Sequence, residues 1–222
     1  MPFGIITKAE SGLVQVDSEN PALALYTKRT IDTPSGEHIW TDDNMPDTQK
    51  GPLLLVFNPL DYPISHGGWK RDASNDTYKG PTFGQEPQGD SYSLTYAVFM
   101  LINKFSGEGN YGIRVYNANG DIVFRDDANS IKVVNVYTGT QNFGDSAHVS
   151  VNNADQNLFG VFPTPYKVKE VGSSPYRCLR TLRKKDSSTI EIKDSQLDPV
   201  LYSDSDIEWL SNFTLIEVEP PN

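Results

Sequence analysis

The sequence predicts an all-β protein made of two tandem antiparallel β-sandwich-like domains. Three observations support this fold class: segments that alternate apolar and polar residues, turn residues between them, and a pattern that recurs after 108 residues. Alternation with a period of two places one face of each strand inward. The clearest segments with this alternation are residues 12–17, 113–116, 122–124 and 131–136.

Length and composition agree with this fold class. The chain has 222 residues, enough for one large β-domain or for two domains of about 110 residues. Its 17 glycines and 15 prolines favour turns over a helical bundle. Weak helical spacing occurs only at residues 194–201 and 205–210, and such short segments are unstable alone. We therefore expect little helix.

Two β-hairpins are predicted by turn residues. The first turn contains Glu10, Ser11 and Gly12, and the second contains Asn119 and Gly120. Asn-Gly suits the two central positions of a type I′ turn, because both residues tolerate positive φ.

An internal duplication is predicted by the spacing of glycines and apolar residues. Gly4 and Gly112 lie 108 residues apart, as do Gly12 and Gly120, and the apolar positions of three predicted strands follow the same spacing. Residues 91–102 and 207–218 both resemble a long closing strand, and residues 105–110 have the composition of a linker. The predicted domains are 1–108 and 109–222.

Two segments of the first predicted domain do not fit a pattern of short hairpins. Residues 27–51 and 61–91 are rich in proline, glycine, aspartate and threonine. Loops of that length in a compact domain are usually functional or disordered. We expect the first domain to make its contacts through these long loops.

The net charge and the single cysteine exclude several classes of protein. The formal net charge of −10 repels the phosphates of nucleic acid, so no nucleic-acid partner is expected. One cysteine, Cys178, excludes an intrachain disulfide and a cysteine-based zinc cluster. No apolar run reaches the roughly 20 residues of a membrane helix, and the first residues do not resemble a leader peptide. We expect synthesis in a cytoplasm and no membrane span.

Residues 111–124, with the sequence YGIRVYNANGDIVF, resemble a segment found near the start of a small β-domain in minor tail and tail-tip proteins of bacteriophages. Residues 3–18, FGIITKAESGLVQVDS, are similar to a second copy. In those proteins an Asp-Ser pair often ends the segment. Asp17 and Ser18 match that pair, whereas Arg125 and Asp126 replace it in the later copy. The resemblance implies a structural protein of the virion tail, with other tail proteins as partners. Tail symmetry implies a homo-oligomer, a trimer or a hexamer.

No catalytic, metal-binding or cofactor-binding residues are predicted. His38, His66 and His148 lie in predicted loops without metal-ligand spacing. Arg177 and Arg180 flank Cys178 and would favour its thiolate, but no base is suggested nearby.

Acidic residues are concentrated in the two predicted long loops. Paired carboxylates serve in glycosidases and oxygen ligands bind calcium, but acids in the loops of an acidic chain are usually solvated. The acids concerned are Asp42, Asp43, Asp47, Asp72 and Asp76.

Aromatic residues in the same loops are candidates for contact with a receptor or another subunit. Exposed rings can stack on sugars, and aromatic side chains also pin loops to a domain or form the centre of an interface. The candidates are His38, Trp40, Trp69 and Tyr78.

A basic run stands out in this acidic chain and is a candidate for electrostatic docking on an acidic partner. The alternative is a solvated hairpin tip. The run consists of Arg177, Arg180, Arg183, Lys184 and Lys185.

These observations favour a non-enzymatic structural component of a bacteriophage virion tail. An alternative function is a host-receptor or carbohydrate-binding module that uses the loops around Trp40 and Trp69. A third is a small glycan hydrolase that uses the loop acids.

Overall fold

A computed structural model shows that the chain is all-β and antiparallel, as the sequence predicts. Within the described residues the only helical element is a short 3-10 helix, and no helix has the length and apolar character needed to cross a membrane. The structure describes residues 7–8, 14–16, 22–35, 39–45, 48–49, 53–72, 74, 77–85, 91–104, 113–125, 128–141, 145–162, 167–171, 174–199 and 212–221.

The first half of the chain contributes nine strands and the 3-10 helix. Its elements are β1 (Thr7–Lys8), β2 (Val14–Val16), β3 (Leu23–Asp32), β4 (Ile39–Thr41), β5 (Thr48–Gln49), β6 (Leu53–Phe57), β7 (Ile64–Asp72), β8 (Thr77–Gln85), β9 (Ser93–Leu101) and the helix Ile102–Lys104.

The second half of the chain also contributes nine strands. They are β10 (Arg114–Tyr116), β11 (Ile122–Arg125), β12 (Val133–Thr140), β13 (Ser146–Ser150), β14 (Leu158–Phe162), β15 (Lys167–Val171), β16 (Ser174–Asp186), β17 (Thr189–Pro199) and β18 (Asn212–Val218).

Two large sheets contain most of these strands. The six-stranded sheet has the order β12-β18-β14-β6-β9-β3, and the eight-stranded sheet has the order β13-β17-β16-β7-β8-β4. In the second sheet β15 also pairs with β16, and β5 also pairs with β8. The hairpins β1-β2 and β10-β11 form two small separate sheets.

The two halves of the chain meet at the centre of both large sheets. Phe57 on β6 pairs with Phe159 on β14, and Ile64 on β7 pairs with Leu182 on β16. These two pairs are here called the inter-half junction. Outward from the junction, the six-stranded sheet has β6, β9 and β3 on one side and β14, β18 and β12 on the other. The eight-stranded sheet has β7, β8 and β4 on one side and β16, β17 and β13 on the other, so the strands of the two halves follow in the same order. The two predicted domains therefore share both sheets. Their boundary near residue 108 lies outside the described residues and stays a prediction.

The edges of the six-stranded sheet also approach each other. On β3, Leu23 O accepts a bond from Ile131 N at 3.0 Å, and Leu25 N donates to Asn129 O at 2.7 Å. Residues 129–131 directly precede β12, the opposite edge strand. The sheet thus returns on itself, which leaves it less exposed edge for pairing with other chains.

Both faces of the central strands of the six-stranded sheet are buried. Alternate residues of β6 show the division, since Leu55 and Phe57 belong to the core between the two sheets, whereas Leu54 and Val56 belong to a second cluster. The second cluster also contains Ala97, Phe99, Leu158 and Val218. The first core contains Ile64, Phe83, Leu182, Ile190 and Ile192 of the eight-stranded sheet.

The prediction of long loops at 27–51 and 61–91 is wrong. Both segments contain strands, and β7 and β8 pair with each other along most of their length. Glycine and proline disfavour strands locally, but here ladder hydrogen bonds and burial of side chains such as Ile64 and Phe83 outweigh that preference. Pro81 lies opposite Trp69 in this pair.

Two local predictions also need correction. A type I′ turn with Asn119 and Gly120 at its centre would begin at residue 118. The β10-β11 turn begins one residue earlier, because Gly120 N donates to Asn117 O. Gly120 therefore follows the two central residues of the turn, and its φ is 85°. This is a three-residue loop with glycine in the left-handed region. Residues 194–199 belong to β17 rather than to a helix, because pairing with β16 fixes them, and residues 200–211 lie outside the description.

Close packing at the inter-half junction predicts that Gly160→Ala destabilises the fold. A Cβ atom at residue 160 would lie 2.9 Å from the carbonyl oxygen of Leu55, so the strands must shift apart. We expect a loss of about 1–3 kcal/mol in the free energy of unfolding, measured by urea titration. Ser150→Ala on the exposed edge strand β13 is the control and should change it by less than about 0.5 kcal/mol. An unchanged urea midpoint for Gly160→Ala would contradict close packing at the junction.

Candidate functional site

A polar cleft lies beside the end of β4, where several sequence-predicted residues come together. Its volume is about 590 Å³, within the usual range for small-ligand sites. The cleft is here called the Asp42 cleft. Its lining residues are Ile31, Asp32, Pro34, Ile39, Trp40, Thr41, Asp42, Asp43, Asn44 and Lys70.

Asp42 is the buried centre of a hydrogen-bond network at this cleft. Its Oδ2 accepts a bond from Arg29 Nε at 2.6 Å and another from the Tyr96 hydroxyl at 2.7 Å. Its Oδ1 accepts a bond from Asn44 N at 3.0 Å and a longer one from Arg29 Nη2 at 3.4 Å. The carboxylate is therefore fully engaged by fixed donors.

The network determines which form of the carboxyl group is stable. Burial alone would raise the pKa of Asp42, but hydrogen bonds from Tyr96, Arg29 and Asn44 N outweigh it and hold this pKa below its usual value. Burial and the bond to Asp42 raise the pKa of Tyr96, so the tyrosine keeps its proton. Asp42 is an ionised acceptor rather than a proton donor at neutral pH.

The Asp42 network connects the two large sheets. Arg29 lies on β3 and Tyr96 on β9 of the six-stranded sheet, whereas Asp42 directly follows β4 of the eight-stranded sheet. The expectation that this loop acid is solvated is wrong, because the sequence does not show that Arg29 and Tyr96 converge on it. Asp43 is exposed, as expected, and pairs with Lys70 Nζ at 2.7 Å.

The aromatic candidates do not form one exposed surface. Trp40 is only 6% exposed and stacks on Phe83 with ring centroids 4.7 Å apart. Trp69 and Tyr78 are half-buried, with centroids 6.0 Å apart, and Trp69 packs against the core between the sheets. His38 lies outside the described residues. Trp40 thus has the packing role that the sequence left open, and its ring is not available to stack on a sugar.

The basic run is engaged mainly within the chain. Arg180 is 1% exposed and donates from Nη1 to Asn212 O at 2.9 Å, so the expectation that it docks on a partner is wrong. The alternation of β16 turns this residue inward, which the spacing of charges alone does not reveal. Arg183 Nη2 lies 2.6 Å from Glu191 Oε2, and Lys185 Nζ lies 4.0 Å from Glu191 Oε1. The Arg177 side chain lies outside the description.

Lys184 of the same run bridges the two halves. Its Nζ lies 3.1 Å from Asp155 Oδ1 and 3.3 Å from Asp61 Oδ1. Its backbone N–H also donates to Leu60 O at 2.6 Å. Lys184 therefore contributes to the inter-half junction.

Sequence reasoning missed a second buried carboxylate, Glu217. It accepts bonds from Tyr137 OH and Asn157 Nδ2, both at 2.7 Å, and from the backbone N–H groups of Asn152 and Asn153. This network holds the turn before β14 against β12 and β18. A signal was available in the sequence, because Glu217 continues the inward alternation of Phe213 and Leu215.

Metal-ligand clusters are not found among the described residues, where no group of three or more histidine, cysteine, aspartate or glutamate side chains converges. His148 is exposed and lies 3.3 Å from Glu191. The backbone of Cys178 pairs with Lys167, and its side chain lies outside the description.

His66 differs from the expected surface histidine. It lies on β7, and its ring packs edge-on to Trp69 with centroids 5.2 Å apart. Its Nε2 is buried without a hydrogen-bond partner among the described residues. Burial lowers the pKa of His66 to about 4, so the ring is neutral at pH 7.

No family model, curated protein or solved structure matches this chain.

Removal of the Tyr96 hydroxyl is predicted to weaken the Asp42 network. In Tyr96→Phe the buried carboxylate loses a donor, so we expect a loss of about 1–3 kcal/mol in unfolding free energy at neutral pH. The pKa of Asp42, followed by NMR of its carboxyl carbon, should rise toward its ordinary value. Tyr92→Phe, at a tyrosine that stacks on Tyr62, is the matched control and should leave the Asp42 pKa unchanged. An unchanged pKa in Tyr96→Phe would exclude this hydroxyl as a significant donor.

His66 predicts a specific loss of stability in mild acid. Its pKa is about 4 in the folded chain against an ordinary value of 6.5, so the unfolded chain binds more protons between those pH values. Stability is thus fully present above pH 6.5 and falls as the pH drops toward 4, by at most about 3 kcal/mol. His66→Phe should flatten this part of the curve of unfolding free energy against pH. A wild-type curve that is already flat there would contradict burial of the ring.

Proposed function

We propose that the chain is a non-enzymatic structural component of a bacteriophage virion tail: a minor tail, tail-tip or fibre-associated protein that acts through protein–protein contacts. The observation that carries this proposal is the β10-β11 hairpin. Residues 111–124 bear the resemblance to tail proteins, and in the described part of this segment Ile113, Tyr116 and the turn residues 118–121 are exposed.

The hairpin has an apolar outer face, which supports a role in contacts. Val115 pairs with Phe124, so these side chains share one face, and alternation along the chain places Ile113 on it. Ile122 pairs with Tyr116 after a shift in register, and Val123 is buried. The outer face, here called the hairpin face, consists of Ile113, Val115 and Phe124. Ile113 is 63% exposed. An apolar cluster at the surface usually marks an interaction site.

Internal duplication is part of the proposal. Each half supplies one small hairpin, three strands to one side of the six-stranded sheet and three to one side of the main path of the eight-stranded sheet. β3 and β12 have matching places, as do β4 and β13, and each pair is separated by roughly the 108 residues of the sequence pattern. A copied gene segment explains why the order repeats outward from the junction.

The buried acids support a structural rather than a chemical role. Asp42 and Glu217 each accept several hydrogen bonds from fixed donors, and each network ties together different strands. Such networks stabilise one arrangement of the sheets.

Proteomics of purified particles tests the proposed function. In particles purified by density gradient, the chain should be present in a fixed ratio to other tail proteins. A phage enzyme that is not packaged is the negative control and should be lost during purification. Immunogold labelling should place the chain on the tail. Its absence from the particles, after detection in the infected cell, would refute the proposal.

The Asp42 cleft supports the alternative of a host-receptor or carbohydrate-binding module. The exposed side chains of Asp43 and Asn44, together with Lys70, offer hydrogen bonds suited to sugar hydroxyls. Asp43→Ala and Asn44→Ala test this function by glycan array and host-cell binding. They are preferable to Trp40→Ala, which would open a cavity in the core. Binding that survives both variants would argue against the cleft as a receptor site.

A small glycan hydrolase would need two carboxylates that face one space. In the cleft, Asp42 is bound by Arg29 and Tyr96, and Asp43 is paired with Lys70. The side chains of Asp47, Asp72 and Asp76 lie outside the described residues. We therefore place this function third.

A further inference from the structure

Asn119 and Gly120 form the only Asn-Gly pair in the chain. They lie at the tip of the β10-β11 hairpin, where both residues are exposed. An asparagine followed by glycine is chemically reactive, because the backbone nitrogen of the next residue can attack the asparagine side chain and glycine has no side chain in the way. Exposed loop tips are also the places where a chain best tolerates change. This tip is therefore a candidate site of modification without an enzyme.

The space around the attacking residue is open. A Cβ atom built at residue 120 would have nothing within 4 Å, and the φ of 85° at Gly120 is one that glycine adopts readily. The Asn119 carboxamide makes no hydrogen bond within the described part of the chain, so no neighbour holds it away from Gly120 N. Water, the second reactant, reaches both exposed residues.

Hydrogen bonds of the turn restrain the reaction. Gly120 N, the attacking atom, donates to Asn117 O at 3.0 Å. The Asn117 side chain closes the same turn, since its Oδ1 accepts bonds from Asn119 N at 3.0 Å and from Asp121 N at 2.9 Å. The attack therefore requires the turn to open, and the Asn117 side chain helps to determine how often it opens.

The hairpin permits local opening at its tip. β10 and β11 form a separate two-stranded sheet with three paired positions and a shift in register between Val115 and Tyr116. Such a sheet has little stability of its own. The base of β11 is held more firmly, because Val123 is buried and its carbonyl oxygen accepts a bond from Ala22 N at 2.8 Å. The tip can thus open while the base of the hairpin stays in place.

We propose that Asn119 is a site of spontaneous deamidation, and that the isoaspartate formed there loosens the β10-β11 hairpin. When the turn opens, Gly120 N loses its proton to water or hydroxide and attacks Cγ of Asn119. The bond between this nitrogen and Cγ forms, the bond from Cγ to Nδ2 breaks, and Nδ2 takes up a proton and leaves as ammonia. Water then opens the cyclic succinimide. Opening at the backbone carbonyl carbon of residue 119 gives isoaspartate, and opening at Cγ gives aspartate.

Isoaspartate changes both the backbone and the charge of the turn. The main chain then runs through the β-carbon of residue 119, so the loop contains one additional methylene group. Loop length and turn type fix the register of a hairpin, and the longer loop no longer fits the register of β10 and β11. The new carboxylate also lies two residues before Asp121, a like charge. This inference concerns the chemistry of the isolated chain and does not rest on the proposed virion role.

Peptide mapping by mass spectrometry, after incubation of the full chain at neutral pH, locates the reaction. Asn119 should be converted before the other asparagines, and labelling by an isoaspartate-specific methyltransferase should detect isoaspartate there. Asn129, which is exposed but followed by serine, is the internal control and should react more slowly. Conversion of Asn119 should be slower in the folded chain than in urea, because the folded turn must first open.

The variant Asn117→Ala tests the restraint by the turn. It removes the side-chain bonds to Asn119 N and Asp121 N, so conversion should be at least about threefold faster than in the wild-type chain. Asn44→Ala, the same substitution at an exposed asparagine outside the hairpin, is the matched control and should leave the rate unchanged. Circular dichroism checks that each variant is folded.

Hydrogen exchange of residues 113–125 measures the effect on the hairpin. The chain that carries isoaspartate at residue 119 should exchange these amide hydrogens at least about threefold faster than the fresh chain. Asn119→Asp introduces the same charge on an ordinary backbone, so its exchange should stay close to that of the fresh chain.

Three results would overturn the inference: an Asn119 that stays intact in the folded chain while the chain in urea is converted, a rate of conversion that Asn117→Ala does not change, or hydrogen exchange of the hairpin that isoaspartate does not alter.

Discussion

The two halves of the chain meet where β6 pairs with β14 and β7 pairs with β16, and both large sheets depend on these pairings. Phe57 and Phe159 in one sheet and Ile64 and Leu182 in the other are buried in the same core between the sheets. Three strands from one half alone would leave that core open at one side. Burial of apolar surface between the halves therefore determines that the chain forms two shared sheets.

Buried ionic and polar networks stabilise this arrangement at a distance from the junction. Asp42 connects the end of β4 to Arg29 and Tyr96 on the six-stranded sheet, and Glu217 holds the turn before β14. A buried carboxylate is costly unless its acceptors are satisfied. Both are satisfied here, so each network favours one relative placement of its strands over alternatives that leave the charge unpaired.

The sequence predicts the features that depend on neighbouring residues, but not those that depend on contacts between distant segments. Period-two alternation predicts strands such as β10 and β11, because it depends on neighbouring residues. Asn119 and Gly120 predict a turn between these strands but not its type. Local composition predicts a long loop at 61–91, but β7 and β8 in this segment are stabilised by each other rather than by local preference. Trp40 and Arg180 are buried through contacts with residues distant in the sequence. Trp40 stacks on Phe83, and Arg180 donates a hydrogen bond to Asn212 O.

The sequence by itself determined the all-β class and the two hairpins, since both follow from local alternation and turn chemistry. The duplication after 108 residues stays a proposal. Only the tertiary structure decided that both halves share two sheets and that Asp42 is a buried acceptor. Strand pairing between distant segments is governed by burial and by satisfaction of hydrogen bonds across the whole molecule, and no short window of residues contains that information.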